Sequence, residues 1–296
     1  MNKYPSYLNL SMAELSDKAK TAREMLRSCN LCPRACGIDR TKGEKGFCKT
    51  DNRLFVSSWG SHFGEERPIS GFSGSGTIFF GNCNLGCVFC QNYSISHEGE
   101  GMTMTENTLA DVMIKLQNNG CHNINLVTPT HQMPMIVDSL IIAIQKGLSI
   151  PIVYNCGGYE SIESIKILEG IVDIYMPDFK FSDSHIAHKL AGASDYFTKA
   201  KEAIKEMHRQ VGDLKIKNHI AYRGLLIRHL VLPNNMAGSR DVLTFISSEL
   251  SPKSYVNIMD QYYPCYKARA MSDLNRRFTK NEYDEVLSIA KEVGLL

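Results

Sequence analysis

The chain has 296 residues, 43% of them hydrophobic, and a formal net charge of +2 at neutral pH. This length and apolar content suffice for a sizeable core without disulfides, and the balanced charge indicates neither a nucleic-acid-binding nor a membrane-surface protein. No apolar run is long enough to cross a bilayer, and the N-terminus MNKYPSYLNLSMAELSDKAK lacks a secretory signal pattern. We therefore predict a cytoplasmic protein, whose ten cysteines stay reduced and whose clustered thiols bind metal.

Residues 1–70 predict an N-terminal helix followed by a cysteine-rich extension. Apolar residues recur at helical spacing from Ala13 to Leu26, and the segment SCNLCPRACGIDRTKGEKGFCKT that follows is too polar and turn-rich for a core. Four thiols can close a tetrahedral site, so the segment predicts either zinc or an auxiliary [4Fe-4S] cluster, and spacing alone does not choose between them. The four cysteines are Cys29, Cys32, Cys36 and Cys48.

Residues 71–270 alternate short apolar runs with helical patterns. Six β-α units predict an α/β fold, a partial (β/α)6 TIM-like barrel, with a doubly wound sheet as the alternative. In either fold, functional residues lie at the C-terminal ends of the strands. Residues 271–296 predict a C-terminal helix that packs on the core and opens with a capping box at Thr279 and Glu282. The predicted strands are Thr77–Phe80, Ile124–Val127, Ile150–Tyr154, Val172–Met176, Leu225–Leu232 and Tyr255–Met259.

The segment GNCNLGCVFCQN follows the first predicted strand and carries Cys83, Cys87 and Cys90. Three thiolates on a four-iron cubane leave one iron free to bind another molecule, whereas a closed four-thiolate site does not. Gly81 and Gly86 let the backbone turn closely around such a cluster. The alternative is a structural metal knuckle.

The stretch CNLGCVFC resembles the CxxxCxxC signature of the radical S-adenosylmethionine (SAM) superfamily. The resemblance implies a [4Fe-4S] cluster whose free iron binds the amino and carboxylate groups of SAM. It also implies reductive cleavage of SAM to methionine and a 5′-deoxyadenosyl radical, which removes a hydrogen atom from a substrate. Phe89 occupies the aromatic position that packs near the adenine. The electron would come from a reductant such as flavodoxin or ferredoxin.

Further segments resemble the pyruvate formate-lyase activating-enzyme-like (PflX-like) branch, whose name does not specify a substrate. Asp178 and Lys180 resemble the DxK motif of glycyl-radical activating enzymes, which lines the SAM and substrate side. Arg228 resembles an arginine that contacts the SAM carboxylate or ribose. The segments are LCPRACGIDR, HFGEERPISGFSGSGTIFFGNCNLGCVFCQN, NINLVTPTH, VYNCGGYE, YMPDFKF, LIRHLVLP and VNIMDQYYP.

One position departs from the family pattern. Many relatives carry a Gly-Gly-Glu motif after the second strand, which binds the SAM amino group, and here that place reads Thr128-Pro129-Thr130-His131. Oxygens of Thr128 and Thr130 are suited to accept from an ammonium group, and His131 is a candidate at the substrate, with a core histidine as the alternative. Asn155, after the third predicted strand, is a candidate from its position.

Three cysteines remain outside the two sets. Cys156 and Cys265 follow predicted strands and are candidate hydrogen-atom donors, although free cysteines are commonly small buried hydrophobes. Cys121 precedes a strand and is predicted to be structural. The leading functional prediction is a radical SAM enzyme that removes a hydrogen atom from a substrate, for which activation of a glycyl-radical enzyme is one candidate. The alternatives are a radical SAM enzyme that modifies a small molecule or peptide, for example by epimerisation, and a non-catalytic iron–sulfur or zinc protein.

Overall fold

A computed structural model describes residues 3–295, in which ten α-helices accompany a nine-stranded sheet. The strands are β1 Leu54–His62, β2 Ser75–Phe80, β3 Met102–Met104, β4 Ile124–Val127, β5 Ile152–Cys156, β6 Ile174–Pro177, β7 Lys215–Lys217, β8 Ile220–Leu230 and β9 Tyr255–Met259. The helices are α1 Met12–Glu24, α2 Arg67–Ser70, α3 Tyr93–Ser96, α4 Glu106–Asn118, α5 Met133–Gln145, α6 Ile162–Ile167, α7 Ser184–Ala191, α8 Tyr196–Val211, α9 Ser239–Phe245 and α10 Lys280–Glu292.

Six strands form the parallel part of the sheet, in the order β2-β4-β5-β6-β8-β9. This order follows the chain throughout, whereas a doubly wound sheet reverses direction at a switch point. Within the described residues β9 does not pair with β2, so the barrel is open. The predicted α/β fold, a partial (β/α)6 barrel, is confirmed.

The third parallel strand begins later than the sequence predicts. The prediction placed it at Ile150–Tyr154, but β5 runs from Ile152 to Cys156. Pro151 lies inside the predicted strand and lacks the N–H that a ladder position needs, so the strand starts after it. Asn155 therefore lies within the strand and not after it, and Cys156 is its last residue.

Local sequence signals account for several helix boundaries. Ser11 and Glu14 form a capping box at the start of α1, and Thr279 and Glu282 form the predicted one at the start of α10. Gly192 adopts a left-handed conformation after α7, which ends that helix before α8 begins. In the described residues, no helix is long and apolar enough to cross a membrane.

The N-terminal segment packs directly on the barrel. Arg23 of α1 forms ion pairs of 2.5 Å with Glu106 and with Asp138, and β1 extends the sheet by pairing antiparallel with β2. Inside the barrel, Ile69 of α2 packs with Val153 and Leu226 and fills the end opposite the strands' C-termini. The C-terminal ends of the strands remain as the open end.

Candidate functional site

An open cavity lies at the C-terminal ends of the parallel strands. Its volume is about 240 Å³. All three cysteines of the loop after β2 line it, together with predicted site residues from four further strand ends. Those residues are Thr128, Asn155, Cys156, Asp178, Lys180 and Arg228, and Phe89 of the cysteine loop lines the cavity as well.

The three-cysteine loop presents its sulfur atoms to one space. The backbone N–H of Leu85 donates to Sγ of Cys83 at 3.3 Å, and Sγ of Cys90 lies 3.1 Å from Oγ of Ser96. Burial raises the pKa of the Cys87 thiol to about 12, so without a metal it stays protonated at neutral pH. Coordination to a metal deprotonates a thiol outright. The donor set, three soft sulfurs around one cavity, fits a [4Fe-4S] cluster with one free iron.

Asp178 joins two cations in the wall of the cavity. It forms an ion pair with Lys180, and its Oδ1 accepts from Nε of Arg228 at 2.8 Å. Burial alone would raise the pKa of Asp178, but Arg228 and Lys180 outweigh it and hold that pKa below its usual range. Asp178 directly follows β6 and bridges to Arg228 of β8, so strand pairing fixes the geometry of this group.

Arg228 has further partners that the sequence did not reveal. Its Nη2 donates to Oδ1 of Asn155 at 2.7 Å, and its Nη1 lies 3.7 Å from Oε2 of Glu65. Glu65 precedes α2 and reaches Arg228 from within the barrel, where burial raises the pKa of its carboxyl. Its segment, HFGEERPISG, is part of the resemblance to the PflX-like branch, but no local sequence pattern indicates a contact with β8.

The residues that replace the Gly-Gly-Glu motif divide between two places. Thr128 lines the cavity with a left-handed backbone (φ 59°), which is unusual for a β-branched residue. Thr130 is buried behind the wall and donates to Oε1 of Glu160 at 2.7 Å. His131 is also buried, with its Nε2 2.9 Å from the carbonyl oxygen of Gly81, and it lines a different cavity.

The two candidate hydrogen-atom donors are in different surroundings. Cys156 lines the cavity, and burial together with the nearby, fully buried carboxyl of Glu160, which the sequence did not reveal, raises the pKa of its thiol. Cys265 is buried and donates to the carbonyl oxygen of Phe89 at 3.2 Å, and it is not among the residues that line the cavity.

The N-terminal cysteines surround a second cavity. Cys29, Cys32, Cys36 and Cys48 all line it. Among residues 3–295, no three His, Cys, Asp or Glu side chains stand in an arrangement that holds a single metal ion. This applies equally to these four cysteines and to the three-cysteine loop.

A sequence profile described as the radical SAM superfamily matches residues 77–229. These residues run from β2 to β8 and include the three-cysteine loop, Asp178, Lys180 and Arg228. The chain belongs to the radical SAM superfamily. It is therefore a radical SAM enzyme, for which the superfamily implies a [4Fe-4S] cluster and SAM, and the prediction of a non-catalytic protein is not retained.

Two curated relatives of this radical SAM protein come from Methanocaldococcus jannaschii. "Uncharacterized protein MJ0674" is 32% identical over 287 residues, which cover 94% of this chain and 78% of the relative. "Uncharacterized protein MJ0808" is 25% identical over 259 residues, which cover 81% of this chain and 71% of the relative.

Two solved structures resemble the radical SAM fold described here at a distance. The crystal structure of methylornithine synthase (PylB) has a TM-score of 0.47 and 14% identity, over 98% of this chain and 72% of that one. The structure of HydG, a maturase of the [FeFe]-hydrogenase, has a TM-score of 0.48 and 10% identity, over 98% of this chain and 63% of that one.

Proposed function

We propose that this enzyme removes a hydrogen atom from a substrate bound in the cavity at the strand ends. The cluster and SAM, when bound, supply the one-electron cleavage that forms a 5′-deoxyadenosyl radical. The chain's own residues bind SAM, orient it and exclude water. The observation that carries the proposal is that three loop cysteines and the Asp178–Lys180–Arg228 group line one cavity.

Cys83, Cys87 and Cys90 would hold the cluster, and the charged group beside them would hold SAM. Lys180 and Arg228 both pair with Asp178, and Arg228 also lies 3.7 Å from Glu65, so the wall offers two cationic groups to the carboxylate of SAM. Asn155 accepts from Arg228 and orients it, so Asn155 is a positioning residue. Phe89 lines the same cavity and offers a flat surface to the adenine, while Thr128 offers oxygens to the ammonium group.

For the substrate, we propose first the activation of a glycyl-radical enzyme. The pairing of Asp178 with Lys180 at the cavity wall supports the likeness to the DxK motif, and the further segments support the PflX-like branch. The partners of this function are a glycyl-radical enzyme and a reductant such as flavodoxin or ferredoxin. We also propose the cytoplasm as its location and a metal centre, zinc or iron–sulfur, at the N-terminal cysteines.

A second candidate, modification of a small molecule or peptide, is favoured by the position of Cys156. Its thiol lines the cavity and is backed by Glu160, so it is placed to return a hydrogen atom to a substrate radical. The resulting thiyl radical needs one electron from the external reductant and one proton, which Glu160 is placed to give. Cys265 has no such access and is the matched control.

Anaerobic assays test both candidates. The wild type, reconstituted with iron and reduced by dithionite, is expected to form 5′-deoxyadenosine from SAM, whereas Cys87→Ala forms none and Cys121→Ala retains the activity. No product from an iron-loaded wild type, and no change in its EPR signal on adding SAM, would overturn the proposed function.

The two substrate classes give different products. A glycyl-radical signal in a partner enzyme supports activation. A single-deuterium mass shift in a small molecule or peptide, formed in D₂O and lost in Cys156→Ala but not in Cys265→Ala, supports the second candidate.

A further inference from the structure

We propose that Cys29, Cys32, Cys36 and Cys48 hold a second [4Fe-4S] cluster, not zinc, and that it passes electrons to the three-cysteine loop. That the three-cysteine loop holds the electron acceptor rests on the proposed function. The identity of the metal at the N-terminal cysteines does not.

The spread of the thiols favours a cluster over a single ion. Zinc requires four ligands that converge to about 2.3 Å for sulfur, whereas a cubane lies between its cysteines and holds their sulfur atoms further apart. No three ligands of residues 3–295 are arranged to hold a single metal ion, and this includes the loop that serves a [4Fe-4S] cluster in this superfamily. At Gly46 an added Cβ would lie 2.7 Å from Sγ of Cys36, so the backbone closes tightly around the site.

Two arginines supply positive charge to the N-terminal cavity. Arg34 donates to the carbonyl oxygens of Asn84 and Ala191, and Arg40 to those of Asp51 and His131. Within the described part of the chain, neither guanidinium lies within 4 Å of a carboxylate oxygen, although Arg40 is only 1% exposed. A buried cation without an anionic partner is costly, so the cavity calls for an anionic occupant.

The position of Arg40 favours a redox-active occupant. Its Nη1 lies 3.9 Å from Sγ of Cys29. Four thiolates carry a net charge of about −2 with either Zn²⁺ or an oxidised [4Fe-4S]²⁺ cluster, but only the cluster accepts a further electron. A guanidinium close to the sulfur stabilises that added negative charge and so favours uptake of the electron from the external donor.

His131 adds an independent observation at the same wall. Its imidazole is 1% exposed and lines the cavity, and within residues 3–295 its Nδ1 has no hydrogen-bond partner. Unpartnered buried polar atoms in native proteins call for a further neighbouring group or a functional role. A cluster with its sulfides in the cavity gives Nδ1 a polar neighbour.

The two cysteine sites share a wall. Cys83 lines the SAM cavity, and the next residue, Asn84, lines the N-terminal cavity. Nε of Arg34 donates to the carbonyl oxygen of Asn84 at 3.1 Å, and Gly86 of the loop packs against the ring of Phe47. Consecutive Cα atoms are about 3.8 Å apart, so the path between the sites is short.

The electron is transferred in two one-electron steps, and no proton is transferred in either step. A low-potential one-electron donor reduces the N-terminal cluster from the 2+ to the 1+ state. That cluster then returns to 2+ as the loop cluster goes from 2+ to 1+.

Metal content and EPR test the proposal on the full chain, purified without oxygen. The wild type is expected to hold about eight irons and no zinc, because each cubane holds four. The triple variant Cys83→Ala/Cys87→Ala/Cys90→Ala and the double variant Cys32→Ala/Cys48→Ala are each expected to hold about four, and Cys121→Ala about eight. On reduction, the wild type and Cys121→Ala are expected to show two mutually broadened EPR signals. The triple and the double variant are each expected to show a single unbroadened EPR signal.

Zinc without iron in the triple variant, or no metal there, overturns the assignment. Because that variant retains the N-terminal cysteines, the result does not depend on whether the double variant folds. Eight irons per chain without a magnetic interaction between the two clusters would contradict the proposed electron transfer. Failure of the proposed function looks different, since the wild type then cleaves no SAM while the triple variant still holds its iron.

Discussion

Asp178 is the residue on which the two cations of the SAM cavity depend. Replacing it with asparagine keeps the shape but leaves Lys180 and Arg228 sharing no carboxylate. Removing one partner of a buried ion pair costs about 3 to 5 kcal/mol, so we expect Asp178→Asn to lower the free energy of unfolding by that amount. Urea unfolding under anaerobic conditions measures it, with the exposed Asp17→Asn as control. Equal stability of the two variants would contradict the prediction.

Glu160 gives the protein a defined pH dependence. Burial raises the pKa of its carboxyl to about 8, although Thr130 and Tyr154 donate hydrogen bonds to it. The unfolded chain releases this proton near pH 4.5, so the residue makes the folded state less stable as pH rises from there towards 8. The other titratable groups near it are Cys156 and Cys32, and negative charge at either pushes the pKa in the same direction.

Glu160→Gln removes this dependence, because the amide stays neutral. We expect the variant to be increasingly stabilised relative to the wild type between about pH 5 and pH 8. Urea midpoints at several pH values measure the difference, and infrared spectra report the protonated carboxyl directly. A stability difference that stays constant with pH would show that Glu160 titrates normally.

Some residue contacts were predictable from the sequence and others were not. The spacing of the three cysteines and the position of Asp178 after a strand are local sequence patterns. The three cysteines and Asp178 all line the cavity. The contact of Arg228 with Glu65 joins residues far apart in the chain, so no periodicity reports it. Thr130 and His131 follow Thr128 closely, but the short helical turn that begins at Thr130 directs them behind the wall.

At the scale of elements, a substitution in the segment between Cys36 and Cys48 tests the N-terminal metal site. A methyl group at Gly46 would lie 2.7 Å from Sγ and 3.0 Å from Cβ of Cys36, which forces that side chain to move. We expect Gly46→Ala to lower the iron content from about eight to about four per chain, with the loop cluster retained.

Gly60→Ala is the matched control for this prediction. Gly60 lies in β1, where an added Cβ meets no atom within 4 Å, so its iron content is expected to stay at about eight. Full iron content in Gly46→Ala would mean that Cys36 is not a ligand.

The elements themselves followed from periodicity where the sequence carried a clear stop signal. The bounds of β4 and β9 agree with the prediction, and Gly192 divides α7 from α8. The prediction for β5 failed because an apolar run was extended through Pro151, which cannot donate to the ladder. The pairing of β1 with β2 joins the N-terminal segment to the sheet, a contact that depends on tertiary packing and not on local pattern.

At the scale of the whole molecule, the chain order places an N-terminal cysteine site against the loop of the barrel. The N-terminal segment is held there by Arg34, which stacks on Phe47 at 3.7 Å and donates to the loop and to the end of α7. A site built only for stability would not need this contact with the loop. A site at which electrons enter would need this contact. Through it, electrons from a protein donor reach the SAM cavity although the donor itself stays outside.

This arrangement predicts different results with small and large reductants. In Cys32→Ala/Cys48→Ala, dithionite is expected to support 5′-deoxyadenosine formation within about twofold of the wild type, because a small ion enters the open cavity directly. Reduced flavodoxin is expected to support it at least about tenfold more slowly, since a barrier higher by 1.4 kcal/mol gives this factor. Rates with each reductant, measured for the double variant and for Cys121→Ala, test the prediction. Equal losses with both reductants would mean that the N-terminal site supports the fold of the loop, and no loss with either would mean that electrons enter elsewhere.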